Sequence, residues 1–200
     1  MKDFLKRGFD IVFSFIGLIF LIPLFLIIAV MIKVLMPGPV LFIQKRTGRY
    51  GKLFSLYKFR SMTISQGGSF TTVKGDSRIT PFGAKLRKYK LDELPELWNV
   101  LKGEMSFVGP RPDIPEFTER LNGDERRILE LRPGITCSAS LKYSNEEVIL
   151  SGVPDPYKYT DEVIWPDKVR MNLDYYRERS FYGDILIIFK TLCKTANSRS

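Results

Sequence analysis

The stretch Ile11 to Ile32, IVFSFIGLIFLIPLFLIIAVMI, runs for 22 residues without a charge. At about 1.5 Å per residue, a helix of that length reaches across the hydrocarbon core of a bilayer. The chain therefore meets a membrane. The run is too long for a cleavable signal peptide, and no small-residue cleavage site follows it. Lys2, Lys6 and Arg7 precede it, and Lys33, Lys45, Arg46, Arg49 and Lys52 follow it. Positive charge favours the cytoplasmic side, so both ends are drawn to one face, which a single straight helix cannot satisfy. Pro23 sits at the centre, where it has no N–H for the carbonyl of Ile19 and its ring crowds that turn. A re-entrant helix broken at Pro23, entering and leaving on the same side, resolves the conflict. A kinked spanning helix is the alternative, with Ser14 and Gly17 close enough to help satisfy the freed carbonyl.

Charge is divided unevenly over the rest. The first hundred residues hold 16 Lys/Arg against 6 Asp/Glu, and the second hundred 15 against 16. A basic half points to anionic lipid, nucleic acid or a phosphorylated substrate. There is no histidine in the 200 residues. Imidazole bases, His-containing triads and His-containing zinc sites are thereby excluded, leaving Asp, Glu, Lys, Tyr, Ser and Cys for any chemistry. Cys137 and Cys193 are too far apart in sequence for a CxxC site and read as reduced thiols.

The pattern after the apolar run is α+β and mainly helical. Met36-Pro37-Gly38-Pro39 ends the first helix, and alternation around Arg49-Tyr50-Gly51 predicts a short β-hairpin. Gln66 to Gly75 reads as a polar loop. Thr80-Pro81 is a helix start, with threonine as cap and proline in the first turn, and that helix is expected to reach about Tyr89. A second is expected from Asp92 to Lys102-Gly103, and shorter ones over Pro115 to Leu121 and Asp124 to Leu131. The aromatic tail, Leu173 to Leu192, suits an amphipathic helix in the membrane interface or one in the core. Residues 1–36 are thus expected to form the anchor and 37–200 one compact cytoplasmic domain.

Within that domain, KLDELPEL sets Asp92 and Glu93 side by side after a run of cations. Carboxylates at a helix mouth often only cap free amides. The company is less ordinary: Lys58 and Arg60 in KFRSM, Arg87, and Arg111 in GPRP supply the charges that hold phosphate oxygens. Two carboxylates are enough to hold Mg²⁺ when substrate phosphates complete its shell. In the absence of histidine, a carboxylate is a ready nucleophile for phosphoryl transfer. Asp92 and Glu93 are the catalytic and metal candidates, and residue physics alone does not rank their two roles.

The run LDELPELWNVLKGEMSFVGPRP, with KFRSM before it and LRPGIT after it, resembles the bacterial sugar transferases, the monotopic polyprenol-phosphate phosphoglycosyl transferases. The resemblance covers nearly the whole chain. It implies a re-entrant helix on the cytoplasmic face of the bacterial inner membrane, Mg²⁺, a UDP-sugar donor, undecaprenyl phosphate as acceptor, UMP as product and no nucleic acid. Overall similarity implies UDP-N,N′-diacetylbacillosamine as the donor. By the same resemblance Asp92 is the nucleophile, Glu93 its partner, and Arg111 a phosphate ligand, with Lys58, Arg60 and Arg87 at further basic positions. Two rivals remain: a basic membrane-tethered module that binds lipid or nucleic acid without catalysis, and the same transfer by direct displacement.

Overall fold

The computed structural model describes residues 2–63 and 76–197. The polar stretch Gln66 to Gly75 lies outside them. Helix α1 spans Lys2–Leu35. Asp10, Ser14, Ile28 and Ile32 are buried on it, with Gly17, Leu21 and Leu24 partly buried between them. Steps of three and four place these on one stripe. The opposite side exposes Ile11, Phe15, Ile19, Phe20, Ile22, Leu26, Ile27, Val30 and Val34. An apolar surface of that extent needs lipid or another apolar partner.

Hydrogen-bonded helix runs through the expected break, since Pro23 lies inside α1. Its second half is held from the side. Leu24 and Phe25 pack with Ile28, Ile32, Met36, Phe59 and Leu86, and the Phe25 and Phe59 rings meet edge to face at 5.4 Å. The first half is held as firmly. Lys6 Nζ donates to the Val108 carbonyl at 2.7 Å and pairs with Asp184. Arg7 donates to the carbonyls of Val100 and Leu101 at 2.7 and 2.9 Å.

Strands β1 (Leu41–Thr47) and β2 (Leu53–Phe59) form the expected antiparallel hairpin around Arg49–Gly51. Tyr50 and Gly51 take the left-handed backbone the turn requires, with φ of 58° and 74°. In this register Phe42, Gln44 and Arg46 face Lys58, Leu56 and Phe54. All six lie on one face of the ribbon, since direction alternates along a strand.

Helix α2 (Pro81–Lys88) begins where its cap chemistry puts it, with Thr80 Oγ1 accepting from the Gly83 amide at 2.9 Å. Helix α3 (Glu96–Lys102) leads to the short strand β3 (Ser106–Val108). Helix α4 (Pro115–Thr118) follows, and the segment expected as a helix over Asp124 to Leu131 is a 3₁₀ turn, Gly123–Glu130. Strand β4 (Gly134–Thr136) pairs parallel with β3. Three short helices come next, α5 (Ser138–Lys142), α6 (Glu146–Ser151) and α7 (Pro156–Tyr159).

The tail forms two helices rather than one, α8 (Trp165–Glu178) and α9 (Phe181–Asn197). They part at Arg179-Ser180, where the Ser180 hydroxyl accepts from the Gly183 amide at 3.1 Å and so starts a new helix. Helix α9 turns Asp184 toward Lys6 and Tyr175 and leaves Tyr182, Leu186, Phe189 and Leu192 exposed. Cys137 is buried and Cys193 exposed, both as free thiols.

Candidate active site

The backbone around the acidic pair is unusual. Lys90 is left-handed, with φ of 56°, and Leu91–Glu93 make a single 3₁₀ turn before α3 starts at Glu96. This corrects the expectation that Asp92 starts and caps the helix, since its carboxylate makes no cap bond. The amides of Glu93 and Leu94 instead donate three residues back, to the carbonyls of Lys90 and Leu91, the tight bonding of a 3₁₀ turn. Leu97 and Trp98 likewise donate to the carbonyls of Leu94 and Pro95. Leu91 and Leu94, on either side of the pair, pack into the cluster that holds Ile28 and Ile32 of α1. The site therefore sits against the anchor helix.

Asn99 fixes the other wall. Fully buried on α3, it accepts from the Tyr57 amide at 3.2 Å and donates to the Ser55 carbonyl and to Glu104 Oε2, each at 2.7 Å. It thereby ties β2 to the helix and sets Lys58 over the acids. Lys58 Nζ lies 2.8 Å from Glu93 Oε1 and 3.1 Å from Glu96 Oε1. Arg111 donates to the same Glu93 oxygen. Asp92 differs: it is 7% exposed, and its Oδ1 is buried without a hydrogen-bond partner.

These surroundings separate the carboxyls electrostatically. Burial and the neighbouring Glu93 charge raise the Asp92 pKa, against the pull of Lys58, Arg87 and Lys90. Burial also pushes Glu93 up, but Arg111 and Lys58 outweigh it and hold that carboxyl well below its ordinary value. Glu96 is pushed up to about 7 by burial and by Glu93, despite Lys58. Glu93 is thus an engaged anion, while Asp92 presents a desolvated oxygen without a donor.

Of the predicted cations, Lys58 and Arg111 converge on the pair. Arg87 lies within its electrostatic reach while pairing with Glu147 on α6. Arg60 does not join them: it is buried, and its guanidinium donates to the carbonyls of Met36 and Pro37 where α1 ends. Its charge serves the last carbonyls of the anchor helix. Sequence reading passed over Glu96, Asn99 and Glu147. The three-residue step from Glu93 to Glu96, which puts two residues on one helical face, was the available signal for the first.

Arg111 carries a prediction of its own. One nitrogen is engaged by Glu93, yet the side chain is 40% exposed, leaving the rest of the fork open to a phosphate. Arg111→Lys keeps the charge near Glu93 and loses the planar donors. We expect turnover to fall about tenfold or more with the fold intact, as checked by steady-state rates beside a melting curve. An unchanged rate would return Arg111 to a purely structural pairing.

A buried Asp92 and a half-buried Glu93 among cations thus lie against a helix whose opposite side is broadly apolar and exposed. The chain belongs to the bacterial sugar transferase family, whose sequence profile matches residues 1–198. Exopolysaccharide production protein PSS of Rhizobium leguminosarum bv. phaseoli is 52% identical over 155 residues, which cover 69% of this chain and 74% of that protein. The UDP-N-acetylgalactosamine-undecaprenyl-phosphate N-acetylgalactosaminephosphotransferase of Aeromonas hydrophila is 37% identical over 94% of this chain. The UDP-glucose:undecaprenyl-phosphate glucose-1-phosphate transferase of Escherichia coli K12 is 36% identical over 95% of it. The chain spans 43% and 40% of those two longer proteins.

Proposed function

We propose that this chain transfers a phosphosugar from a UDP-sugar to undecaprenyl phosphate by double displacement, with Asp92 as nucleophile. The carrying observation is the contrast within the pair: Glu93 is held by two cations, while Asp92 keeps a buried oxygen without a donor. An Asp92 oxygen attacks the sugar-bearing phosphorus, a new O–P bond forms, and the P–O bond to UMP breaks. UMP leaves with the electron pair. A phosphate oxygen of undecaprenyl phosphate then attacks the same phosphorus, giving undecaprenyl-diphospho-sugar and restoring the Asp92 carboxylate. Lys58 and Arg111 are positioned to neutralise charge that grows on the phosphoryl oxygens.

The residues present fit Mg²⁺. Among the described residues no group of three or more His, Cys, Asp or Glu side chains could hold a metal. Mg²⁺, however, is commonly held by one or two carboxylates with substrate phosphates completing its shell, and Asp92 has an oxygen without a partner. Asp92 and Glu93 would hold the ion together with the donor's phosphates, and it would supply positive charge to the diphosphate.

Re-entry of α1 is part of the proposal. Its buried stripe touches the catalytic domain near both ends and at Gly17, which lies 3.4 Å from Leu97 by a projected Cβ. A crossing helix would drag β2, α2 and α3, with their charges, into hydrocarbon. Re-entry keeps the site at headgroup depth, where a lipid phosphate meets a water-soluble nucleotide. In a background lacking Cys137 and Cys193, Lys2→Cys and Lys52→Cys should both label from the cytoplasmic side only. Periplasmic labelling at residue 2 would establish a spanning helix.

The sugar is the finer step. The resemblance read from the sequence implies UDP-N,N′-diacetylbacillosamine, whereas two relatives are named for N-acetylgalactosamine and glucose. The deciding experiment measures UMP release with undecaprenyl phosphate, Mg²⁺ and a panel of these donors. One donor turned over far faster than the rest fixes the sugar, and no release with any donor sinks the transferase reading.

A further inference from the structure

Arg46 stands apart from Lys58, Arg60, Arg87 and Arg111. Lys58 and Arg111 pair with Glu93, Arg87 pairs with Glu147, and Arg60 is spent on helix carbonyls. Among the described residues, Arg46 has no ion pair. One terminal nitrogen donates to the Gln44 amide oxygen at 2.8 Å, the other makes a long 3.3 Å contact to the Pro112 carbonyl, and Nε is buried without a partner.

Its placement is specific. On β1, Arg46 shares a face with Gln44, and on the paired strand Lys58 lies on that same face. Its contact with Pro112 sets it beside the loop that carries Arg111. It also lies within electrostatic reach of Arg111, Asp113 and Glu96. Burial lowers its pKa, and the nearby carboxyls only partly offset that. A guanidinium in such surroundings, with an unused N–H and no carboxylate at salt-bridge distance, suits an external anion. Two guanidiniums flanking one loop match the several oxygens of a phosphate or diphosphate.

We infer that Arg46 is a further substrate-binding residue, which contacts phosphate oxygens together with Arg111. This rests on the transferase reading above. The donor's diphosphate and the acceptor's phosphate offer the same oxygens, so the test separates them.

The variants are Arg46→Gln, which removes charge and fork, and Arg46→Lys, which keeps charge and guards against a folding defect in the first. Each is assayed for KM of the UDP-sugar, KM of undecaprenyl phosphate, kcat, melting temperature, and affinity for UDP by calorimetry. Arg46→Gln should raise one KM about 10-fold to 100-fold, from loss of a charge-assisted hydrogen bond, with a smaller change in kcat. A raised donor KM with UDP affinity weakened to match assigns the diphosphate. A raised acceptor KM with UDP affinity unchanged assigns the lipid phosphate. Arg46→Lys should fall between wild type and Arg46→Gln. If both KM values stay at wild type in folded variants, or only the melting temperature falls, Arg46 is a structural residue and the inference is overturned. Absence of UMP release by the wild-type enzyme points instead at the transferase reading, and wild-type protein that binds no UDP then overturns the donor assignment as well.

Discussion

Asp92→Asn should abolish turnover, by about 10⁴-fold or more, a loss typical of removing a nucleophile, while leaving the fold intact. The two halves of that expectation have separate grounds. Asparagine keeps the size of the side chain but not the anionic oxygen, so no acyl-phosphate forms. The fold should tolerate the change because the native carboxylate is buried with an oxygen that no donor satisfies. Losing the charge relieves desolvation rather than breaking a pairing. Melting temperature should hold or rise. Wild-type enzyme mixed with Mg²⁺ and UDP-sugar alone should release up to one UMP per site and gain one phosphosugar on Asp92, as read by intact mass and peptide mapping. The variant should do neither. An adduct on another residue would move the nucleophile, and full turnover with no adduct and no early UMP would favour direct attack by the lipid phosphate.

The sequence made some of this site readable and hid the rest for identifiable reasons. Thr80-Pro81 and the turn at Tyr50-Gly51 were legible because caps and left-handed turns are decided by a few neighbouring residues. The Asp92-Glu93 pair was legible as adjacent carboxylates among cations, but its geometry was not: Leu91 and Leu94 on either side of it pack on α1, a contact more than fifty residues away in the chain. Arg60 looked equivalent to Lys58 in KFRSM. They lie two residues apart, and β2 ends between them, so Lys58 stays on the inner face of the ribbon while Arg60 turns to the end of α1. Pro23 was read by its missing N–H, which is a local fact. Whether the helix survives it depends on lateral packing by Phe25, which no local pattern displays. The break at Arg179-Ser180 was missed because the aromatic run on either side continues the apolar signal, although Ser180 with Gly183 was a readable cap.

Gly134→Ala should be among the most damaging small changes outside the acidic pair. The VGPRP and RPGIT segments meet backbone to backbone. Ser106 and Val108 pair with Gly134 and Thr136, and the Gly134 amide donates to the Pro110 carbonyl at 2.8 Å. A Cβ built on Gly134 would lie 2.1 Å from the Gly109 nitrogen, and one on Gly109 would lie 2.3 Å from the Arg132 oxygen. Neither neighbour is a side-chain end that can swing aside, so β3 and β4 must separate. Overpacking against backbone costs about 3 kcal/mol or more, which at roughly 2–4 °C per kcal/mol for a chain of this size lowers the melting temperature by about 6 °C or more. Pro110 is bonded directly to this crossing and Arg111 follows it, so the guanidinium should move away from Glu93. A displacement near 1 Å is enough to lower kcat/KM about 100-fold. Gly8→Ala is the matched control, since a Cβ there meets nothing within 4 Å and alanine favours the helix. A Gly134→Ala enzyme that melts and turns over like Gly8→Ala would mean that the strand crossing does not set the position of Arg111.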